Sequence, residues 1–343
     1  MHPYPVLPAV IDNFSSEERI YWQARDLLKH LTVGFSQMIK ERNSMRKLIL
    51  GTAVAAAFTA PVAVSTAHAQ AAAASPITYN VGVVSDYLFR GISQTHGRAA
   101  LQGGIDYAHE SGFYLGAWAS QITWVKDLYS SGRTEVDLYG GYKNAFGGGD
   151  WNYDVGYITY NYPGSGNAIT TNLVTGVGGA AKPNTQEAYG AIGYKWVTAK
   201  YSYATSSNFI GWQGGPNLNQ KTRGSDYLEL NANYDLGDGW TLIGHMGQQK
   251  VKGSVTTVAA LGGFQSASYK DWKIGISKDI GFGVVTLAYS DTNAAGQCSS
   301  NSATNTNPYC WGNSGNVNGV SGPTSGFKDA SRGTAVLSFL KTF

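Results

Sequence analysis

Twelve charged side chains recur along stretches that read as extended chain: Asp86, Arg90, Asp106, Glu135, Asp137, Lys143, Asp154, Glu187, Lys195, Lys200, Glu229 and Lys273. Successive side chains of a strand point to opposite faces, and these fall on the face opposite the apolar residues of their own stretch. Gathered inside a closed sheet, they would form a charged wall that tunes which solutes pass. The alternative is a set of internal ion pairs that stiffen or plug the interior. Seven acids against five bases favour weak cation preference if the wall is wet. Asp86 and Arg90, on one side of a strand running to Phe89, lie too far apart to pair directly. Each is expected to pair across strands, in a structural role.

Other chemistry finds little support. Cys298 and Cys310 are the only cysteines. In an exported chain, an even pair this close in sequence points to a disulfide, whereas a metal site would need further ligands and their loop has no His. His96 and His109 fall in a loop and a turn, and His245 faces inward with the charged set. No Ser-His-acid arrangement can be placed from order alone, because triads are recognised by geometry. Phosphate-loop, His-Glu-x-x-His and Cys-x-x-Cys motifs are absent, so neither an enzyme nor a cofactor site is expected.

The elements that must carry these residues are long strands. Asp226–Gln248 shows the unit: Leu228, Leu230, Ala232 and Tyr234 share one side, Glu229, Asn231 and Asn233 the other, and Gly237-Asp238-Gly239 turns the chain. An arm of roughly eleven residues is what a tilted strand needs to cross a bilayer core. Twelve such strands succeed one another: Ile77–Phe89, Arg98–His109, Phe113–Trp124, Arg133–Phe146, Trp151–Tyr162, Thr185–Trp196, Val197–Thr205, Gly224–Leu236, Trp240–Lys250, Tyr269–Asp279, Phe282–Asp291 and Arg332–Phe343. Connections after the even strands are tight. Those after strands five, seven, nine and eleven are long and rich in Gly, Asn, Ser and Thr. Sorting of loops by parity is the arrangement of a transmembrane barrel, with short periplasmic turns and long extracellular loops. An exported soluble sandwich would also alternate apolar and polar residues. Strand length, low charge and aromatics near strand ends, Trp118, Trp124, Trp151, Trp196, Trp240 and Trp272 among them, argue for the barrel.

Charged residues make up 14 % of the 343, against roughly 25 % in soluble domains, as expected where an outer face meets lipid. Residues 45–69 read as a secretory signal: Arg46 and Lys47, an Ala-rich apolar run, then Ala67-His68-Ala69 before Gln70. Residues 1–44 then look like a start assigned too early, with an amphipathic cytosolic extension over Ser15–Asn43 as the alternative. Residues 70–76 form a linker, and 77–343 the barrel. Beyond residue 69 the bases exceed the acids by one, so no global field selects nucleic acid. The expected partners are outer-membrane lipids and small solutes or ions. The barrel-assembly machinery is expected to read Phe343 at the end of a final amphipathic strand.

The run Ser85-Asp86-Tyr87-Leu88-Phe89-Arg90-Gly91-Ile92-Ser93-Gln94-Thr95 resembles the TorF family of porin-like bacterial proteins. The likeness continues through Gln102–Tyr107, Glu110–Gly116, Glu135–Tyr142 and Tyr153–Tyr157, and is densest before Gly164. It implies an outer-membrane location and a pore role. The loop Asn293–Arg332 is longer than the resemblance leads one to expect.

Overall fold

A computed structural model of the chain describes residues 75–129, 131–165, 182–214, 220–253, 255–258, 263–298, 307–317 and 320–343. The expected extension and export signal, and nearly all of the linker, lie outside the described residues. Twelve antiparallel strands form one closed barrel in up-and-down order. They are β1 Ile77–Val84, β2 Ala100–Ala108, β3 Phe113–Gln121, β4 Thr134–Phe146, β5 Trp151–Asn161, β6 Thr185–Tyr194, β7 Val197–Ala204, β8 Asp226–Gly237, β9 Trp240–Lys250, β10 Tyr269–Asp279, β11 Val284–Thr292 and β12 Thr334–Thr342. β1 closes the wall by pairing with β2 on one side and β12 on the other, with Val83 opposite Phe339. Phe343 and Tyr79 exchange backbone hydrogen bonds of 2.8 and 3.2 Å across this seam. Closure removes the unpaired edges that an open sheet would offer to other chains.

Alternation sets what faces outward. Tyr79, Val81 and Val83 of β1, Leu228 and Leu230 of β8, and Ile274 and Ile276 of β10 all lie exposed on the exterior. Nothing among the described residues covers them, so only an apolar surrounding would. Aromatic residues gather at both ends of this belt. Trp151 packs on Tyr194 at 4.7 Å and Trp196 on Tyr234 at 5.5 Å by the turns, and Trp272 on Tyr289 at 5.7 Å toward the loops. Rings at that level suit a membrane interface, where an apolar body and a polar rim are both satisfied.

The turns are set by local chemistry. Asp238 and Gly239 have φ of 51° and 75°, the two positive values that a two-residue hairpin turn needs to match strand twist. All five connections at this end are short. At the other end the chain adds pieces that the alternation does not announce. They include a short helix, α1, over Trp124–Tyr129, and a hairpin pairing Cys310–Val317 with Val320–Asp329. A disulfide joins Cys298 to the foot of that hairpin at Cys310. Two aromatics expected in the interfacial girdle sit elsewhere: Trp118 faces the lumen and Trp124 is buried in α1.

If hydrocarbon covers the belt, an arginine at its middle should be far costlier than one beside a turn. Leu230→Arg is expected to weaken folding into lipid vesicles by about 2–4 kcal/mol, and Leu236→Arg by about 0–1 kcal/mol. Urea titration of vesicle-embedded protein measures both; equal costs would argue that water surrounds the barrel.

Candidate functional site

The lumen is organised by a segment whose pattern reads as wall. Alternation carries β1 to Phe89, but the strand ends at Val84, and Asp86–Gly97 folds into the barrel as a closed loop. One Asp86 oxygen accepts from the Ser93 hydroxyl at 2.6 Å, the Thr95 hydroxyl at 2.8 Å and the Gly97 N–H at 3.2 Å, which ties the two ends together. Burial pushes the Asp86 carboxyl above its ordinary value, and these donors pull it back. Between the ends, Leu88–Phe89 pairs with Ile92–Ser93 around a turn at Arg90 and Gly91, with φ of 50° and 80°. Gly91 is needed twice over. Its φ is left-handed, and a Cβ there would sit 2.7 Å from Thr292 of β11 and 2.9 Å from Asp271 of β10.

Arg90 stands at the tip, in a backbone conformation that non-glycine residues seldom adopt. Its guanidinium meets Glu187 of β6 in a two-pronged contact of 2.7 and 3.1 Å and donates to Gln249 of β9 at 2.8 Å. It also lies 4.2 Å from the centre of the Tyr227 ring of β8. Glu187 takes a third donor, the Tyr160 hydroxyl, at 3.0 Å. Tyr87, earlier in the loop, points its hydroxyl at Glu135 of β4 and packs edge-on against Trp118 of β3 at 5.4 Å. The loop therefore reaches most of the way round the wall and acts as a plug.

The expected lumen residues divide by their placement. Asp86 and Arg90 belong to the plug, not to strand one: Asp86 is satisfied within the loop, and Arg90 pairs across the barrel. Asp106 accepts from Tyr139, and Asp154 accepts from Tyr114 at 2.7 Å. Lys143 stands opposite Asp154 in register and 5.4 Å from the Tyr114 ring. Lys200 stands opposite Glu229 and 4.2 Å from the Tyr189 ring. Glu135 and Asp137 share the inner face of β4, and three of their oxygens are buried with no hydrogen-bond partner. Lys273 of β10 stands opposite His245 of β9. Lys195 leaves this set. It occupies the turn between β6 and β7 at φ 53°, half exposed, with its ammonium 3.9 Å from Asp150. The Lys195-Trp196 pair reads as strand by its alternation, but the turn requires those two residues.

Two further signals are present in the pattern. Asp271 shares the parity of Lys273 and is buried against the Tyr227 hydroxyl at 3.0 Å and His245 Nε2 at 2.9 Å. Inward tyrosines also have readable parity, and inward glycines opposite or diagonal to them mark where the rings go: a Cβ on Gly156 would strike Tyr189, and one on Gly247 would strike Tyr227. These rings and the Arg90 network fill the lumen along β4–β8. The other side keeps a cavity bounded by the plug, β1–β3 and β9–β12. His245 is held there from both nitrogens, with Asn231 at 2.6 Å on Nδ1 and Asp271 and Tyr227 on Nε2, an arrangement that fixes the orientation of the imidazole.

A closed, twelve-stranded antiparallel barrel with an apolar exterior and a charged, partly filled lumen is the class these features define. The chain belongs to the Gcw_chp family, described as bacterial protein of unknown function, whose model matches residues 68–311. No curated protein sequence matches it. Among solved structures it is similar to the KdgM porin, with TM-score 0.40 and 8 % identity, covering 78 % of this chain and 98 % of that one. It is similar also to the NanC porin, at 0.37 and 8 % over 78 % and 97 %. For the outer membrane protein OprD from Pseudomonas aeruginosa the values are 0.34 and 10 %, over 72 % and 59 %. These likenesses concern the fold alone.

Arg90 and Glu187 should show the asymmetry of buried ion pairs. Arg90→Met or Glu187→Met alone leaves one charge unpaired and is expected to cost about 3–5 kcal/mol, and the double variant much less than the sum. Denaturant unfolding of the four proteins in detergent measures the coupling; additive losses would mean the plug is not latched there.

Proposed function

We propose that the protein is a porin-like channel of the bacterial outer membrane, passing small hydrophilic solutes or ions by passive diffusion. The observation that carries this reading is the sorting of the wall. A belt of apolar side chains faces out from a sheet with no free edge, the charges in the middle of the strands face in, and the outward ones, Asp226, Lys250, Lys270, Lys278, Asp291 and Lys341, lie within two residues of a strand end. The export-signal pattern over residues 45–69 and the likeness of Ser85–Thr95 to the TorF family support the same location. The cavity along β9–β12 supports a path beside the plug rather than through its tyrosine-filled side.

The lumen set, with Asp271 added and Lys195 removed, holds eight carboxylates (Asp86, Asp106, Glu135, Asp137, Asp154, Glu187, Glu229, Asp271) against Arg90, Lys143, Lys200 and Lys273. That excess favours weak cation preference. A second reading has its own support: Glu187 and Asp137 are wholly buried, as they would be in a closed barrel that acts through its outer loops.

Planar-bilayer recording of the purified barrel separates the two. Stable conductance steps are expected, with a reversal potential on the cation side in a KCl gradient. Glu187→Gln, which loosens the tip of the plug, is expected to raise the conductance. Silence from both proteins, with folding intact, would favour the closed barrel; an anion-side reversal potential would refute the charge argument alone.

A further inference from the structure

The groups that hold Arg90 come from the wall, not from the plug, and each is fixed by a partner of its own. Glu187 of β6 accepts from the Tyr160 hydroxyl of β5 at 3.0 Å. The Gln249 amide of β9 donates to the Asp226 carbonyl of β8 at 3.0 Å, which leaves its oxygen turned to the guanidinium. The Tyr227 ring is held through its hydroxyl, bonded to Asp271 at 3.0 Å and to His245 at 2.9 Å. Phe209, in the connection between β7 and β8, adds a second ring, its centre 5.8 Å from the guanidinium carbon. Its backbone N–H donates to the Thr222 hydroxyl at 2.8 Å. None of these anchors is a plug residue, so the cage does not depend on the tip for its shape.

The cage fits one chemistry. A planar fork of N–H donors matches the Glu187 carboxylate, a further bond meets Gln249, and the flat cation lies over Tyr227. With no cation present, Glu187 would be a wholly buried charge without compensation. Lys200 does not stand in for Arg90. Glu187 faces Ala204 in the β6–β7 register, and Lys200 lies four residues further along, opposite Ala191. Stability gives weak grounds for the arrangement, because a buried ion pair is often no more stabilising than apolar residues of similar volume. Arg90 also adopts a left-handed φ of 50° to make it. We infer that the cage is a binding site for solutes carrying a guanidinium group, and that Arg90 occupies it in their absence as a built-in competitor. A solute that takes Glu187 and Gln249 frees the tip of the plug, so binding and loosening are one event.

The inference deepens the channel reading by naming a solute class and rests on it for how the solute arrives; binding can be read without transport. Arg90→Gly suits the left-handed φ and removes the side chain whole, and what it removes is n-propylguanidinium. That ion is the probe, with n-propylammonium and the uncharged, planar n-propylurea for comparison, titrated calorimetrically into the full barrel in detergent. Arg90→Gly is expected to bind n-propylguanidinium about tenfold or more tightly than either comparator. The unaltered barrel, its cage occupied, is expected to bind it more weakly than Arg90→Gly does. Adding Glu187→Gln to Arg90→Gly is expected to abolish the preference. Amide hydrogen exchange follows the plug of the unaltered barrel. Residues 86–97 are expected to exchange faster in n-propylguanidinium than in n-propylammonium at the same concentration, with the strand amides unchanged. Thermal unfolding of each variant checks that the barrel is intact, and if Arg90→Gly does not fold, the exchange comparison still decides. Equal binding of the three probes to a folded Arg90→Gly, or a preference that survives Glu187→Gln, would overturn the proposal. So would plug exchange that is the same in both cations, or that rises only together with the strands. Silence in planar bilayers with n-propylguanidinium binding intact would sink the channel reading and leave the site standing.

Discussion

The closed ladder of backbone hydrogen bonds is the constraint on which every other feature of the molecule depends. Hydrocarbon offers no partner to an N–H or a carbonyl, so a chain crossing it with strands must bond every backbone group to a neighbouring strand and leave no edge. The β1–β12 seam meets that demand with consecutive pairs from Asn80 opposite Thr342 to Val84 opposite Ser338. Once the wall is closed, each side chain has only two destinations. A two-residue period then sorts the middle of each strand, with apolar residues outside and the charged ones within.

Closure turns the interior into an electrostatic problem. A lumen this narrow cannot hydrate all of its carboxylates freely, and several of them are satisfied by phenols and by one guanidinium, while Asp137 is left without a hydrogen bond. Tyr139 serves Asp106, Tyr114 serves Asp154, Tyr160 and Arg90 serve Glu187, and Tyr227 serves Asp271. A tyrosine suits this work because its ring fills volume while its hydroxyl donates. Rings of that size need facing space, and inward glycines supply it. The abundance of both residue types in the chain has this packing as one cause. Along β9–β12, where inward tyrosines are fewer, a cavity remains beside the plug.

Much of the wall is legible in the sequence because its period is short and its turns are local. β9 and β10 begin and end where alternation and turn residues place them, and the remaining strands differ by a few residues at their ends. The plug is not legible in the same way. Ser85 to Phe89 has aromatic and aliphatic residues enough to read as a continuing strand, and alternation carries no mark for the point at which a chain leaves its sheet. Trp118 is misread for a related reason: aromatic rings at strand ends serve both an interface outside and packing within, and only parity separates the two. Lys195 fails oppositely, since its parity is right but its turn has no glycine or proline to announce it.

The residue types of the distinctive run Ser85–Thr95 are explained by the plug. Asp86 gathers the Ser93 and Thr95 hydroxyls, which fixes the loop's closure. Leu88 and Phe89 meet Ser93 and Ile92 to make the shortest hairpin that can carry a tip. Gly91 lets that tip turn against β10 and β11, and Arg90 at its left-handed φ makes a contact with Glu187 that a lysine could not make two-pronged. As wall, these residues would be an irregular strand with a charge at each end. As a plug they have matching donors and acceptors, and the acids they answer to lie on other strands. The motif therefore specifies an interior, and its partners Glu135, Glu187 and Gln249 are legible only once the barrel has brought them within reach.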